Sequence, residues 1–499
     1  MSLLNETVKE AGLGANLDLE KVLGVALRNG GALAELFFED TDSSRIFYED
    51  GKVDRIVDGT DRGAGLRILF DGRSVYGYTT DLSQSALESL ANALSAAVSL
   101  KGAGGKPNRA EKIEWRRTEA KSREIANYKV RHSPRALRLQ EKVALAERAE
   151  RGAKAELPDA RQVSAIVLDS LRKILVVNSD GLLSRDEKTY LQVAVEVVGE
   201  TKDADGNARI ESAYETDGGF VGTEFFEKNP PESIGAEAAK RVKVLLTAVP
   251  APSGSMPVVL ASEAGGTMIH EAVGHGLEAD LACNGLSVYQ NKVGQQVASP
   301  LISVLDDGTM PERRGSFTFD DEGTPSQRNV LIENGVLKGY LVDRISAMKF
   351  DLPATGNGRR ETFRHKPIVR MTNTYIAPGK DDPAEILRDT KWGLYVKSMG
   401  GGQVNTVTGD FVFAVTEGYL IRDGKIAEPI RGATLVGNGP KVLQVIDRLG
   451  NDLGFATGTC GKDGQGAPVT DAQPTMRIPE ITVGGEVPIS TYWPKRKTG

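Results

Sequence analysis

Histidine is nearly absent from this chain, with four in 499 residues, and cysteine is scarcer, with two. Two cysteines, Cys283 and Cys460, cannot make a disulfide framework at this length. No apolar run approaches the ~18–20 residues that a membrane-spanning helix needs. The opening residues, MSLLNETVKEAGLG, lack the charged start and apolar stretch of a secretory signal. There is no basic block, and the formal net charge of −6 argues against nucleic acid as a partner. These absences make the cytoplasm the expected compartment. What exceeds the average is glycine, 56 residues against a usual ~7%. That excess predicts many turns, and hence much antiparallel sheet.

The length suggests two or three domains, each large enough for its own core, and the reading below divides the chain into two. Residues 18–28 have helical periodicity, with Leu19, Val22, Leu23 and Ala26 on one face. Segments 34–39, 44–49, 52–58, 63–70 and 74–80 read as strands. EDG, DGTDRG and FDG separate them, as in an antiparallel meander. A helix is expected over 81–100, a mobile loop over 101–108 and a second long helix over 134–155. Segment 112–133 carries no assignment; its basic residues alternate with glutamate, as on a solvated helix face. A second meander covers 163–170, 173–178, 181–198 and 209–215, and a helix follows at 234–248. Three prolines in 249–257 mark a boundary. The predicted class is α+β. Residues 1–250 form an N-terminal domain of antiparallel sheet with helices. Residues 251–499 form a mostly β domain carrying a metal-binding helix.

That helix is the stretch 263–280, EAGGTMIHEAVGHGLEAD, which holds two of the four histidines. His270 and His275 flank Glu271 in the pattern H-E-x-x-x-H. Two imidazoles and a carboxylate are the parts of a hydrolytic metal site. In the common H-E-x-x-H the histidines stand about 40° apart around a helix of ~3.6 residues per turn; here the separation is roughly 140°. Both rings reach one metal only if the helix widens or breaks between them, and a single i→i+5 turn would realign them. Gly274 and Gly276 make such a distortion inexpensive. Zn²⁺ in hydrolytic sites usually takes three protein ligands and a water. The candidates for the third are Glu278, Asp280, His365, Cys283 and Cys460. His365 and Tyr375 are also candidates to stabilise an oxyanion, while His132 reads as a surface residue. The glycines of SMGGGQ (398–403) suit either a tight turn or close approach of a substrate backbone.

HEAVGHGLEAD and GTCGKDGQ together resemble the TldD/PmbA family of bacterial and archaeal metalloproteases, in its TldD-type branch. RMTNTYIAPG, SMGGGQVNTVTGDFVFAV and GATLVGNGPKVL support the likeness, which is densest from Met256 onward. The resemblance implies zinc held by His270, His275 and Cys460. It also implies hydrolysis of peptides or unfolded proteins. Glu271 is then expected to act as general base and acid toward a water made acidic by the metal. It further implies a homodimer, or a heterodimer with an inactive paralogue lacking HExxxH. The rival reading is a peptide-binding or regulatory protein with a structural metal, which would need four protein ligands.

Overall fold

The computed structural model describes residues 17–100, 113–202 and 206–494; the loop expected at 101–108 lies outside them. The chain enters through α1 (Leu19–Ala26), capped by the Asp18 side chain on the Lys21 N–H, and the four expected apolar residues are its buried face. β1 (Leu33–Glu49), β2 (Lys52–Phe70) and β3 (Arg73–Thr79) follow, then α2 (Gln84–Leu100), α3 (Leu139–Glu156), β4 (Gln162–Asn178), β5 (Leu182–Lys202), β6 (Ala208–Gly219) and α4 (Pro231–Thr247). The strands lie in the order β3-β2-β1-β4-β5-β6, all antiparallel. Helices α1 and α2 cover one half of this sheet, over Leu36, Phe38, Leu66 and Ile68. Helices α3 and α4 cover the other half, over Val163, Val167, Val193 and Val195.

Pairs of expected strands are in fact single long ones. The DGTDRG segment runs straight through β2, paired with β1 from Thr41↔Asp61 to Ser44↔Asp58. Its Gly63 is there for space rather than for a turn. A Cβ at that position would fall 2.2 Å from the Phe363 ring, which arrives from the other half of the chain. Segments 163–170 and 173–178 likewise join as β4, because every residue between them pairs with β1 or β5.

The β-rich remainder contains β7 (Pro252–Leu260), β8 (Val304–Asp307), β9 (Arg328–Glu333), β10 (Asn373–Ile376), β11 (Trp392–Val404), β12 (Asp410–Arg422), β13 (Thr434–Asn438), β14 (Gly454–Lys462), β15 (Gln465–Gln473) and β16 (Met476–Gly484). The proline-rich 249–257 segment is therefore largely strand. One sheet runs β11-β7-β16-β13-β12, and pairing of β11 with β12 closes those five strands into a ring. A second sheet ends in β9-β8-β10-β15-β14, leaving β14 at its edge. TGTCGKDGQG, which reads as a glycine-rich turn, is the β14–β15 hairpin. Only Asp463 and Gly464 turn, at φ 52° and 72°, the left-handed pair that two-residue hairpins favour. The short helices Arg344–Phe350 and Pro383–Asp389 are not foreseen by the reading of this region as mostly β. The architecture is nonetheless the expected α+β class, a helix-covered antiparallel sheet followed by a β-rich region.

Buried charges join the halves. Arg67 of β2 meets Glu35 at 3.1 Å and Glu322 at 2.5 Å, and Arg360 meets Glu35 at 3.1 Å. Arg172 of β4 meets Glu39 at 2.9 Å and Asp321 at 3.1 Å. Among the described residues no helix is long and apolar enough to cross a membrane.

Candidate metal centre

Strand β7 ends at Leu260, and Gly265 and Gly266 reverse the chain with φ of 76° and 81°. A helix then opens at Thr267–Ile269. Its buried face, Met268, Ile269, Val273 and Leu277, seats it in the core of the β-rich region. Over His270–Gly274 the turn widens, and the His275 N–H donates to the His270 carbonyl in i→i+5 geometry. Of the two distortions the histidine spacing allows, a widened or a broken turn, the chain takes the widened one. Gly274 assists by room rather than by backbone freedom. Its φ of −54° is helical, but a Cβ there would lie 2.0 Å from Met371 Sδ.

The widened turn sets the two imidazoles face to edge, with centroids 5.1 Å apart. Cys460 comes from β14 and places Sγ 3.4 Å from His275 Nε2. One donor atom from each of His270, His275 and Cys460 lies within 4.8 Å of the other two. Each histidine is oriented from behind. His270 Nδ1 bonds Asp471 at 2.8 Å, and His275 Nδ1 bonds Glu278 at 2.9 Å. The Nε2 atoms are thereby left for a cation, the usual arrangement of histidine ligands backed by carboxylates. Glu278 shares that oxygen with Lys462 Nζ at 3.0 Å, and Lys462 also holds Asp280 at 2.7 Å.

Of the five candidate third ligands, only Cys460 stands with the histidines. Glu278 and Asp280 lie one step behind. His365 turns Nδ1 toward Thr362 Oγ1 at 3.2 Å, and Cys283 is a half-buried thiol outside the group. Tyr375 packs with Leu305 and Ala472, and His132 is exposed at the Glu224 side chain. Asp471 and Lys462 were not foreseen. Lys462, two residues beyond Cys460 on the same strand, was visible as a charge but not as a partner for Glu278.

The electrostatics favour positive charge between these groups. Burial works against the His275 imidazolium, but Glu278 and Cys460 outweigh it and raise the ring to about 10. His270 rises in the same way, against burial, through Asp471. Burial alone would raise the Cys460 thiol; its two histidine neighbours bring it down to about 5. A field that charges two imidazoles and a thiolate equally suits a dication bound to neutral rings and a thiolate. Two nitrogens and one sulfur are ligands that Zn²⁺ accepts, and three protein donors leave a fourth position open. The donor set therefore fits zinc.

Glu271 opens with His270 and Cys460 onto a cleft of about 510 Å³. Burial raises its carboxyl, and the histidines offset part of that rise. The cleft walls are β6 (Tyr214 to Gly218), the irregular stretch of β11 at Ser398–Gly401, and the free side of β14. A larger hollow of about 760 Å³ lies near Tyr128 and Phe220, but no histidine or cysteine lines it.

Three domains of one family match this chain. Residues 34–101 match the PmbA/TldA metallopeptidase domain 1, residues 132–246 the central domain and residues 253–485 the C-terminal domain. A metalloprotease TldD homolog of Haemophilus influenzae is 36% identical over 460 residues, 91% of this chain and 92% of that protein. A zinc metalloprotease TldD homolog of Saccharolobus solfataricus is 31% identical over 287 residues, 57% of this chain and 63% of that protein. The crystal structure of TldE from Thermococcus kodakarensis superimposes with a TM-score of 0.74 at 18% identity, over 94% of this chain and all of that one, and so shares its fold.

Proposed function

Because the chain belongs to the PmbA/TldA metallopeptidase family, we propose that it is a cytoplasmic, zinc-dependent peptidase acting on peptides or unfolded proteins. One observation carries the reading: His270, His275 and Cys460 converge in the wall of a cleft that Glu271 shares. Bound there, Zn²⁺ supplies Lewis-acid polarisation of a carbonyl and of water. Everything else is done by the chain. His270 and His275 present Nε2 because Asp471 and Glu278 hold their Nδ1 protons. Glu271, its carboxyl raised by burial, accepts the proton of the attacking water and returns it to the leaving amine. The unpaired side of β14 offers backbone N–H and C=O groups to an extended substrate. Main-chain pairing of that kind carries affinity with little sequence preference.

In this reading residues 251–499 carry the chemistry, while residues 1–250 supply one wall of the cleft through β6. The chain acts as a homodimer, or as a heterodimer with a paralogue of the same fold that lacks HExxxH. A purely structural metal would want a fourth protein ligand, and among the described residues the group has three. The test compares wild type with Glu271→Gln for zinc per chain and for cleavage of an unfolded peptide. The variant keeps its zinc and loses most turnover. Normal cleavage by Glu271→Gln would remove the proposed base, and absence of zinc from both proteins would remove the metal.

A further inference from the structure

The metal cleft contains a cation that the proposed chemistry leaves unused. Arg313 stands in its wall with its guanidinium 3.5 Å from the centroid of the Phe455 ring. Phe455 belongs to β14, the strand that also carries Cys460. The backbone that presents Arg313 is held in an unusual form. Glu312 has φ of 67°, left-handed although it is not glycine, and bridges to Phe220. Such conformations persist only where the surroundings enforce them, and they gather at binding sites. Space is tight behind it, since a Cβ at Gly219 would fall 2.4 Å from the Glu312 carbonyl.

Neighbouring arginines are satisfied. Arg241 is paired with Glu215 and Glu417. Arg314 donates to the Gly458 carbonyl and to Thr459 Oγ1. Among the described residues, the Arg313 side chain has no hydrogen bond or ion pair; its one specific contact is the ring of Phe455. Two carboxylates face it, Glu312 and Asp217, and neither reaches ion-pair distance. Asp217 spends one oxygen on the Gly218 N–H. Burial lowers the guanidinium's pKa, with Glu312 and Asp217 offsetting part, yet arginine stays charged at any working pH. A guanidinium stacked on an aromatic face keeps its in-plane donors free, and those donors match a carboxylate.

The strand sets where that carboxylate must be. Side chains alternate along β14, so Cys460 and Phe455, an odd number of positions apart, lie on opposite faces. Cys460 faces the histidines, and Phe455 faces Arg313. Five steps of ~3.4 Å put Phe455 about 17 Å along the strand from the metal ligand. We infer that Arg313 is a specificity-determining residue: it binds a substrate carboxylate about five residues from the bond to be cleaved. That carboxylate is either an acidic side chain or the C-terminus of the peptide. The inference rests on the peptidase reading for the position of the cleaved bond, but not for the binding itself.

The experiment measures binding to zinc-loaded Glu271→Gln protein, which holds peptides without turning them over. The peptides are unstructured and differ only in carrying Glu, Gln or Lys at the position opposite Phe455, each with a free or amidated C-terminus. The Glu peptide binds about tenfold or more tightly than the Gln peptide, as charge-assisted pairing implies. Adding Arg313→Gln removes that ratio, Arg313→Lys keeps part of it, and Arg313→Glu turns the preference toward the Lys peptide. If amidation rather than the side chain carries the effect, the C-terminus is the source. An unchanged Glu/Gln ratio in Arg313→Gln, or no measurable binding to any variant, overturns the inference. A ratio that follows Arg313 while wild type cleaves nothing leaves the inference standing and the peptidase reading broken.

Discussion

Two clusters of buried charge in this molecule are built on opposite plans, one between its halves and one at the metal helix. The cluster between the halves is built of opposite charges in pairs. Arg67, Arg172 and Arg360 each face a carboxylate, and Glu35, Glu39, Asp321 and Glu322 each face an arginine. The cluster at the metal helix is open. Its carboxylates, Asp471 and Glu278, hold the backs of two imidazoles, and the fronts of those rings meet only each other and a thiol. Burial of charge therefore does not by itself mark a catalytic site. What distinguishes the metal-helix cluster is that two imidazoles and a thiol bring one donor atom each together in the wall of a cleft.

The comparison can be broken at either cluster. Glu271→Gln should have the largest effect, a loss of ~10²–10⁴ in turnover with the unfolding midpoint unmoved, if the residue is the proposed base. Arg67→Met should do the reverse. It leaves Glu35 and Glu322 buried with a lost partner and costs about 3–5 kcal/mol, read from denaturant unfolding of the zinc-loaded protein. Asp471→Asn keeps the fold but loosens His270, so zinc affinity in a chelator competition should fall ~10–100-fold.

A pH titration sharpens the contrast further. Burial would raise Asp321, but Arg172, Lys188 and Arg360 hold it down to about 2. Its folded value lies below its unfolded one, so its contribution is full above pH ~4 and is lost as pH falls from there toward 2. Asp320 runs the other way. Burial and Glu322 raise it to about 8, so its contribution is full below pH ~4 and is lost as pH rises through 8. Asp321→Asn should flatten the acid limb of the stability curve, and Asp320→Asn the alkaline limb. The smallest effect belongs to the surface pair Arg388–Glu385, more than half exposed on both sides, where Arg388→Ala should not shift the midpoint measurably.

How much of this was legible depended on the range over which each feature is decided. The widened turn at His270–Gly274 follows from arithmetic on two histidines and a helical repeat, and it is a local fact. The buried face of α1 follows in the same way from its period. Cys460 lies 185 positions beyond His275. Its residue chemistry left it one candidate among several, and resemblance rather than physics singled it out. Glycine misled where its reason was distant. Gly63 yields to Phe363, and without that partner in view a DGTDRG sequence reads as a turn. The roles of Glu278, Asp471 and Lys462 depend on the β14–β15 hairpin meeting the helix, a contact that no periodicity announces.

The most direct test of the open cluster is to replace the metal with Co²⁺ and read its absorbance in wild type, Cys460→Ala and Cys283→Ala. A thiolate bound to cobalt gives a charge-transfer band, and the two cysteines of this chain are the only possible sources. The band is expected in wild type and Cys283→Ala and is lost in Cys460→Ala. A band that survives in Cys460→Ala would remove Cys460 from the site.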